Sequence, residues 1–286
     1  MRQEIIEMWR KNVYIRKTVY SYQEEMRVSE KPKYIYKYKS LPVDSNDQQL
    51  EWCLDVIENH RLYFPTPSVL NDPLEGQAAL VWPAVAGGSI SREEGKLHAT
   101  QADELNKHRI LSLSCSATSP QMWGLYAGNY TGICFVFSTE NRAFSKVKPV
   151  IYEDTPVRLS EQEATQSGYE LDLKRVFMRK QKGWSFEKEF RIVEKSDNSY
   201  YKFNECDLCG IIIGHNNKAE YRKARDAVKS LCQQLGYPIW ETYTHADDYE
   251  IRILPHGFEL AGNGVPLERQ VELYYTNHPE LKRFPG

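Results

Sequence analysis

Alternating and continuous apolar runs divide the chain into short strands and amphipathic helices. Tyr34-Ile35-Tyr36-Lys37-Tyr38-Lys39-Ser40 has period two, which predicts a first strand with Tyr34, Tyr36 and Tyr38 on one face and Ile35, Lys37 and Lys39 on the other. Capping residues Asp44 to Asn46 precede Leu50, Cys53, Leu54 and Ile57 at helical spacing, so a helix is expected over 47–60. Arg61 to Phe64 reads as a short strand stopped by Pro65 and Pro67, and Arg109 to Cys115 as another. Ser119-Pro120 opens a short helix to Tyr126, with serine as cap and proline in the first turn. Thr131 to Ser138 is apolar without alternation, the pattern of a strand buried on both faces. Val147 to Tyr152 predicts one further strand, and polar helices are expected over 91–108 and 171–180.

Lys182 to Val193 also reads as a strand. Trp184, Phe186, Phe190 and Ile192 share one face, and Glu187, Glu189, Arg191 and Val193 the other. Beyond it come a buried strand from Cys209 to His215, a helix from Lys218 to Leu235 closed by Gly236, and strands at Ile239–Tyr243 and Tyr249–Leu254. Together these predict an α+β fold with a mixed, mostly antiparallel sheet and flanking helices. The expected organisation is a helical leader over 1–30, one domain over 31–255, and a polar, Pro/Gly-punctuated tail over 256–286 that wraps or frays.

Composition narrows the class. The 286 residues are 41% hydrophobic and 27% charged with a formal net charge of -2, so no global field draws the chain to nucleic acid or membrane. The amino terminus has no long apolar run, which makes a signal peptide or membrane span unexpected and a cytoplasmic location the expectation. The apolar stripe of Ile5, Ile6, Met8 and Trp9 suits docking on the domain or on a second copy of the chain, a route to a homo-oligomer. Six cysteines include a lone pair, Cys206 and Cys209, with no second pair at zinc-finger spacing, so reduced thiols and no metal are expected. The histidines occur singly, and P-loop, GxGxxG, HExxH and GxSxG motifs are absent.

The candidate chemistry lies on the predicted strand at 182–193. Two carboxylates and a guanidinium on one face describe either an edge strand with a solvated Glu–Arg pair or a carboxylate site with a built-in cation. Asn71-Asp72-Pro73 adds an amide and a carboxylate at a turn, and Trp123 and Tyr126 share a face of the short helix. A third arrangement has Asp72, Glu75, Glu187 and Glu189 converging on magnesium in a phosphate-cleaving enzyme such as a nuclease. A fourth is a binding module without catalysis.

Several of these segments together resemble the bacterial domain-of-unknown-function family 2971. They are Tyr36-Lys37-Tyr38, Asn71-Asp72-Pro73-Leu74-Glu75, Leu113-Ser114-Cys115, Met122-Trp123-Gly124-Leu125-Tyr126-Ala127, Gly132-Ile133-Cys134-Phe135, and Lys182 with Trp184, Glu187, Glu189 and Arg191. The resemblance spans about 34–255 and implies no established reaction. The order of elements, with an aromatic first strand and a late Glu187-x-Glu189, is similar in layout to ADP-ribosyltransferases of bacterial toxin and defence type. It departs from them in having no clear histidine or arginine on the first strand and no Ser-Thr-Ser on the second.

That second resemblance implies NAD as the nucleotide consumed, by transfer to a protein or nucleic-acid acceptor or by hydrolysis. Glu189 would balance the oxocarbenium-like charge and Glu187 would orient or deprotonate the acceptor. Trp123 or Tyr126 would stack on nicotinamide, and Lys37, Lys39 or Arg191 would meet the diphosphate. The ligand-binding set so implied is Tyr36, Lys37, Tyr38, Asn71, Asp72, Ser114, Trp123, Tyr126, Lys182, Trp184 and Arg191.

Overall fold

The apolar run Ile133–Ser138 is buried at every position, and in the computed structural model of the chain it is an inner strand of the main sheet. The structure describes residues 31–44, 47–72, 103–155, 176–244, 249–261 and 265–285. The chain divides after Lys31 into two units, the second running from Pro32 to Gly286. The predicted leader over 1–30 and most of the predicted helices over 91–108 and 171–180 lie outside the described residues.

In chain order the strands are β1 (Tyr34–Lys39), β2 (Arg61–Tyr63), β3 (His108–Ser114), β4 (Ile133–Ser138), β5 (Lys148–Pro149), β6 (Ile151–Glu153), β7 (Arg179–Gln181), β8 (Glu189–Lys195), β9 (Tyr200–Lys202), β10 (Leu208–Ile213), β11 (Ile239–Thr244) and β12 (Ile251–Pro255). The α-helices that lie wholly within the described residues are α1 (Gln48–Glu58), α2 (Pro120–Tyr126), α3 (Arg222–Leu235) and α4 (Leu267–Asn277). Eight strands form one sheet in the order β12-β11-β10-β4-β1-β3-β8-β5. Its pairings are antiparallel except β10 with β11, which α3 joins by the crossover that parallel neighbours require. β2 pairs with β9, and β6 with β7, in two small ribbons. This is the α+β class with a mostly antiparallel sheet. Among the described residues no helix is long and apolar enough to cross a membrane.

Local chemistry explains several boundaries. Asp47 caps α1 by accepting from the Gln49 amide, and Leu50, Cys53, Val56 and Ile57 form its buried face. Gly236 ends α3 with φ 75°, its amide donating to the Cys232 and Gln233 carbonyls. Between α2 and β4 the chain turns through Gly128, Asn129 and Tyr130, all with positive φ. The buried Arg225 of α3 holds that turn, donating to the Thr131 carbonyl at 3.3 Å, to the Tyr130 carbonyl at 3.4 Å and to the Gly214 carbonyl. α2 is thereby fixed at its C-terminal end.

Four expectations need correction. Residues 182–193 are not one strand: Lys182–Glu187 is a 3₁₀ helix, capped by the Gln181 side chain on the Gly183 amide, and Lys188 turns through φ 46° into β8. Trp184 and Phe186 pack on each other at 6.0 Å, so their period of two comes from a turn and not from a sheet face. The strand expected over 147–152 changes partner at Val150, whose amide donates to the Glu189 carbonyl while that of Ile151 donates to Met178. Of the helix expected over 171–180, the described end is helical at 176–177 and then extended as β7. The tail carries α4, which begins after Pro266. Beyond it Phe284 packs edge-on against Trp240 at 5.4 Å and tilted on Tyr36 at 6.4 Å, and the Lys282 carbonyl accepts from the Trp240 indole.

Two glycines make opposite predictions. A Cβ on Gly214 would lie 2.1 Å from the Tyr130 carbonyl oxygen, whereas one on Gly124, inside α2, meets nothing within 4 Å. Gly214→Ala should lower stability by roughly 1–3 kcal/mol through overpacking. Gly124→Ala should raise it by up to about 1 kcal/mol through helix propensity. Paired urea melts check both signs.

Candidate functional site

β1 is registered with β4 at six positions but with β3 at one, Tyr36 opposite Ser114. Over this seam lies a cavity of about 680 Å³, walled by α1, α2, β1, β3, the 67–71 segment, Lys180, Glu187 and Glu189. Its volume suits a small-molecule ligand. The Lys37 amine reaches across the seam and donates to the Ser112 carbonyl at 2.8 Å.

The turn at Lys188 brings two glutamates around one ammonium. Lys180 of β7 donates to Glu187 Oε2 at 2.6 Å and lies 3.4 Å from Glu189 Oε2. Arg191, two residues along β8 and on the same face as Glu189, grips that carboxylate from Nε and Nη2, both at 2.7 Å. Its Nη1 donates to the Phe177 carbonyl at 2.6 Å. From the last turn of α2, Tyr126 donates to Glu187 Oε1 at 2.5 Å. Ser114 fastens the 3₁₀ segment by donating to the Glu187 carbonyl at 2.7 Å.

Burial and pairing drive the two carboxyls apart. Burial raises Glu187 above the ordinary range, against the charge and hydrogen bonds of Lys180 and the hydroxyl of Tyr126. Burial pushes Glu189 the same way, but the Arg191 charge and hydrogen bonds, with Lys180, outweigh it and hold that carboxyl well below the ordinary range. Burial, then its hydrogen bond to Glu187, raises the Tyr126 hydroxyl, while the Asn71 side chain bonds it and acts in the opposite direction. Burial and then Lys39 push Lys37 down to about 7, against the pull of Glu189 and Glu187.

The structure brings together part of the residue set expected from sequence. Tyr36, Lys37, Tyr38, Lys39, Asn71, Ser114, Tyr126, Glu187 and Glu189 line the cavity. Tyr36 and Tyr38 are nevertheless largely buried in the apolar cluster with Trp123, Val136 and Trp240, and the Tyr38 hydroxyl donates to the Ser116 carbonyl. Trp123 is fully buried, with its indole donating to the Ala117 carbonyl at 2.8 Å, so it offers no stacking face to a ligand. Asp72, Lys182, Trp184 and Arg191 do not line the cavity; Trp184 lies under the Lys180 ammonium at 5.0 Å. Glu189 and Arg191 form a buried pair, not a solvated edge pair.

Lys180 escaped the sequence reading. It precedes the glutamates across a turn, and no periodicity relates them. The cavity mouth escaped it too. Of the eleven large hydrophobic side chains exposed among the described residues, Trp52, Tyr63, Val69 and Leu125 all belong to this cavity. Such clustering marks a binding surface more than scattered exposure does. The magnesium arrangement gains no support from the geometry. Both Glu189 oxygens are held by Arg191, Glu187 is shared by Tyr126 and Lys180, Asp72 is outside the cavity lining, and Glu75 lies outside the described residues.

Residues 122–192 match the model of a family described as protein of unknown function (DUF2971), which bears out that resemblance over the stretch carrying Tyr126, Lys180, Glu187, Glu189 and Arg191. No curated protein and no solved structure matches the chain significantly.

The buried pair predicts a stability effect. Glu189→Gln leaves Arg191 without its full counter-charge and should cost about 3 kcal/mol or more at neutral pH. The Glu189 carboxyl is depressed in the folded state, so its contribution is complete above the ordinary value of 4.5 and is lost as the pH falls through the folded value. Denaturant melts of parent and variant should therefore differ most near neutrality and converge on acidification.

Proposed function

We propose that this cavity takes a nucleotide-sized ligand and that Glu187 carries the chemistry, cleavage of an N-glycosidic bond such as the nicotinamide–ribose bond of NAD. The observation behind the assignment is the unequal state of the two carboxylates. Glu189 is gripped at both oxygens by Arg191, whereas Glu187 lies at the cavity wall with one oxygen on Tyr126 and the other on Lys180. This moves the principal role from Glu189, where the resemblance in layout to ADP-ribosyltransferases implied it, to Glu187.

The bonding electrons leave with the nicotinamide nitrogen, which departs neutral, and the ribose C1′ becomes oxocarbenium-like. A fixed carboxylate beside C1′ stabilises that cation, and water or an acceptor hydroxyl then forms the new bond to C1′. Lys180 favours the ionised form of Glu187 while burial raises its basicity, a combination suited to taking the acceptor proton. Trp52 and Tyr63 supply aromatic surface at the mouth for the base, in place of the buried Trp123. Glu189 and Arg191 position Lys180 and the wall without touching the substrate.

Incubation with NAD, with nicotinamide release followed by chromatography, tests the reading. Glu187→Gln leaves Lys180 only Glu189, at 3.4 Å, a carboxylate already held by Arg191. It should therefore lose some stability and, assayed well below its melting temperature, lose about a hundredfold or more in rate, the usual scale for one lost electrostatic contact to a transition state. Trp52→Ala should raise KM with little change in kcat. A parent that releases no nicotinamide, or a Glu187→Gln variant with full turnover, would overturn the assignment.

A further inference from the structure

We propose that Lys37 is the anion receptor of the cavity and meets a phosphate group of the bound ligand, an inference that rests on the nucleotide reading above. Lys180 is already paired with Glu187 and Glu189, and Arg191 with Glu189. Lys37 is different. Its amine sits in the cavity lining, its hydrogen bond is to a backbone carbonyl at 2.8 Å, and among the described residues no carboxylate lies within ion-pair distance of it. An ammonium hydrogen-bonded only to a neutral carbonyl retains two donors for an incoming oxyanion.

The groups around it set the consequence. Lys39 on β1 and Lys180 on β7 oppose its charge, while Glu187 in the 3₁₀ segment and Glu189 on β8 favour it. From the helices Tyr126 of α2 and Cys53 of α1 line the same cavity. With burial the largest influence, the amine titrates at about 7. Slightly above neutrality it is mostly neutral, and a phosphate placed against it draws a proton from solvent to make the ammonium. Ligand binding and proton uptake are then linked.

Calorimetric titration of the full chain with ADP tests this, at about pH 8 in two buffers of different ionisation enthalpy. The binding heat should depend on the buffer, corresponding to uptake approaching one proton, and this uptake should disappear toward about pH 6, where the amine is already charged and the terminal phosphate of ADP instead gives up a proton on binding. Lys37→Met should abolish the buffer dependence and weaken ADP binding by about tenfold or more, the scale of one charge-assisted hydrogen bond. Uptake through Glu187 would instead grow toward acid pH and survive in Lys37→Met. Buffer-independent heats for the parent, no ADP binding by the parent, or parent-like affinity in the variant would each overturn the proposal. The first measurement needs no variant to fold. ADP binding with proton uptake but no nicotinamide release would sustain the receptor and remove the glycosidic chemistry.

Discussion

A buried sequence of alternating charge organises this protein: Glu187, Lys180, Glu189 and Arg191, each within hydrogen-bond distance of the next. In a medium of low polarity such groups hold one another strongly, and removing one exposes its neighbour to the full cost of desolvation. The charges come from the 3₁₀ segment, β7 and β8, and Tyr126 attaches α2 to the end of the row. On this side of the sheet these polar bonds stand beside the apolar cluster of Tyr36, Tyr38, Trp123, Val136 and Trp240. The far side is different: Phe135, Phe137, Phe144, Tyr201 and Phe203 form an aromatic cluster with ring centroids 4.7–6.3 Å apart. Apolar burial is thus supplied on both faces, and the charged row adds specificity of geometry on one of them.

Much of the scaffold could be read from the chain. Ser119-Pro120 and Asp47 mark helix starts through bonds their own side chains make, and the unbroken apolar run at 133–138 identifies an inner strand. These signals are local, so sequence carries them faithfully. The failures share a cause. Trp184 and Phe186 imitate a strand face because a 3₁₀ turn can also place alternate residues against apolar surface, and the deciding contact is made by the Gln181 side chain. Trp123 and Tyr126 share a helix face in the sequence, yet the burial of one and the cavity position of the other depend on which strands lie beneath the helix.

The candidate site was legible as a set of residue types and illegible as a division of labour. The Glu187-x-Glu189-x-Arg191 spacing announces charge. It does not reveal that Lys188 turns left-handed, that Lys180 returns to lie between the carboxylates, or that Arg191 holds both Glu189 oxygens from Nε and Nη2. Those facts come from a turn and a ribbon whose pairing is non-local, and they decide which carboxylate is gripped at both oxygens.

The contact of Phe284 with Trp240 and Tyr36 bears on how such a chain is made. Phe284 is synthesised long after Tyr36, so until it emerges β1 waits with part of its aromatic surface uncovered. Trp240 is made 42 residues before Lys282, whose carbonyl accepts from its indole N–H. During that interval the nascent sheet offers sticky surface to chaperones and to neighbouring nascent chains on the same message, the period in which slow, non-local sheets are most prone to misassembly.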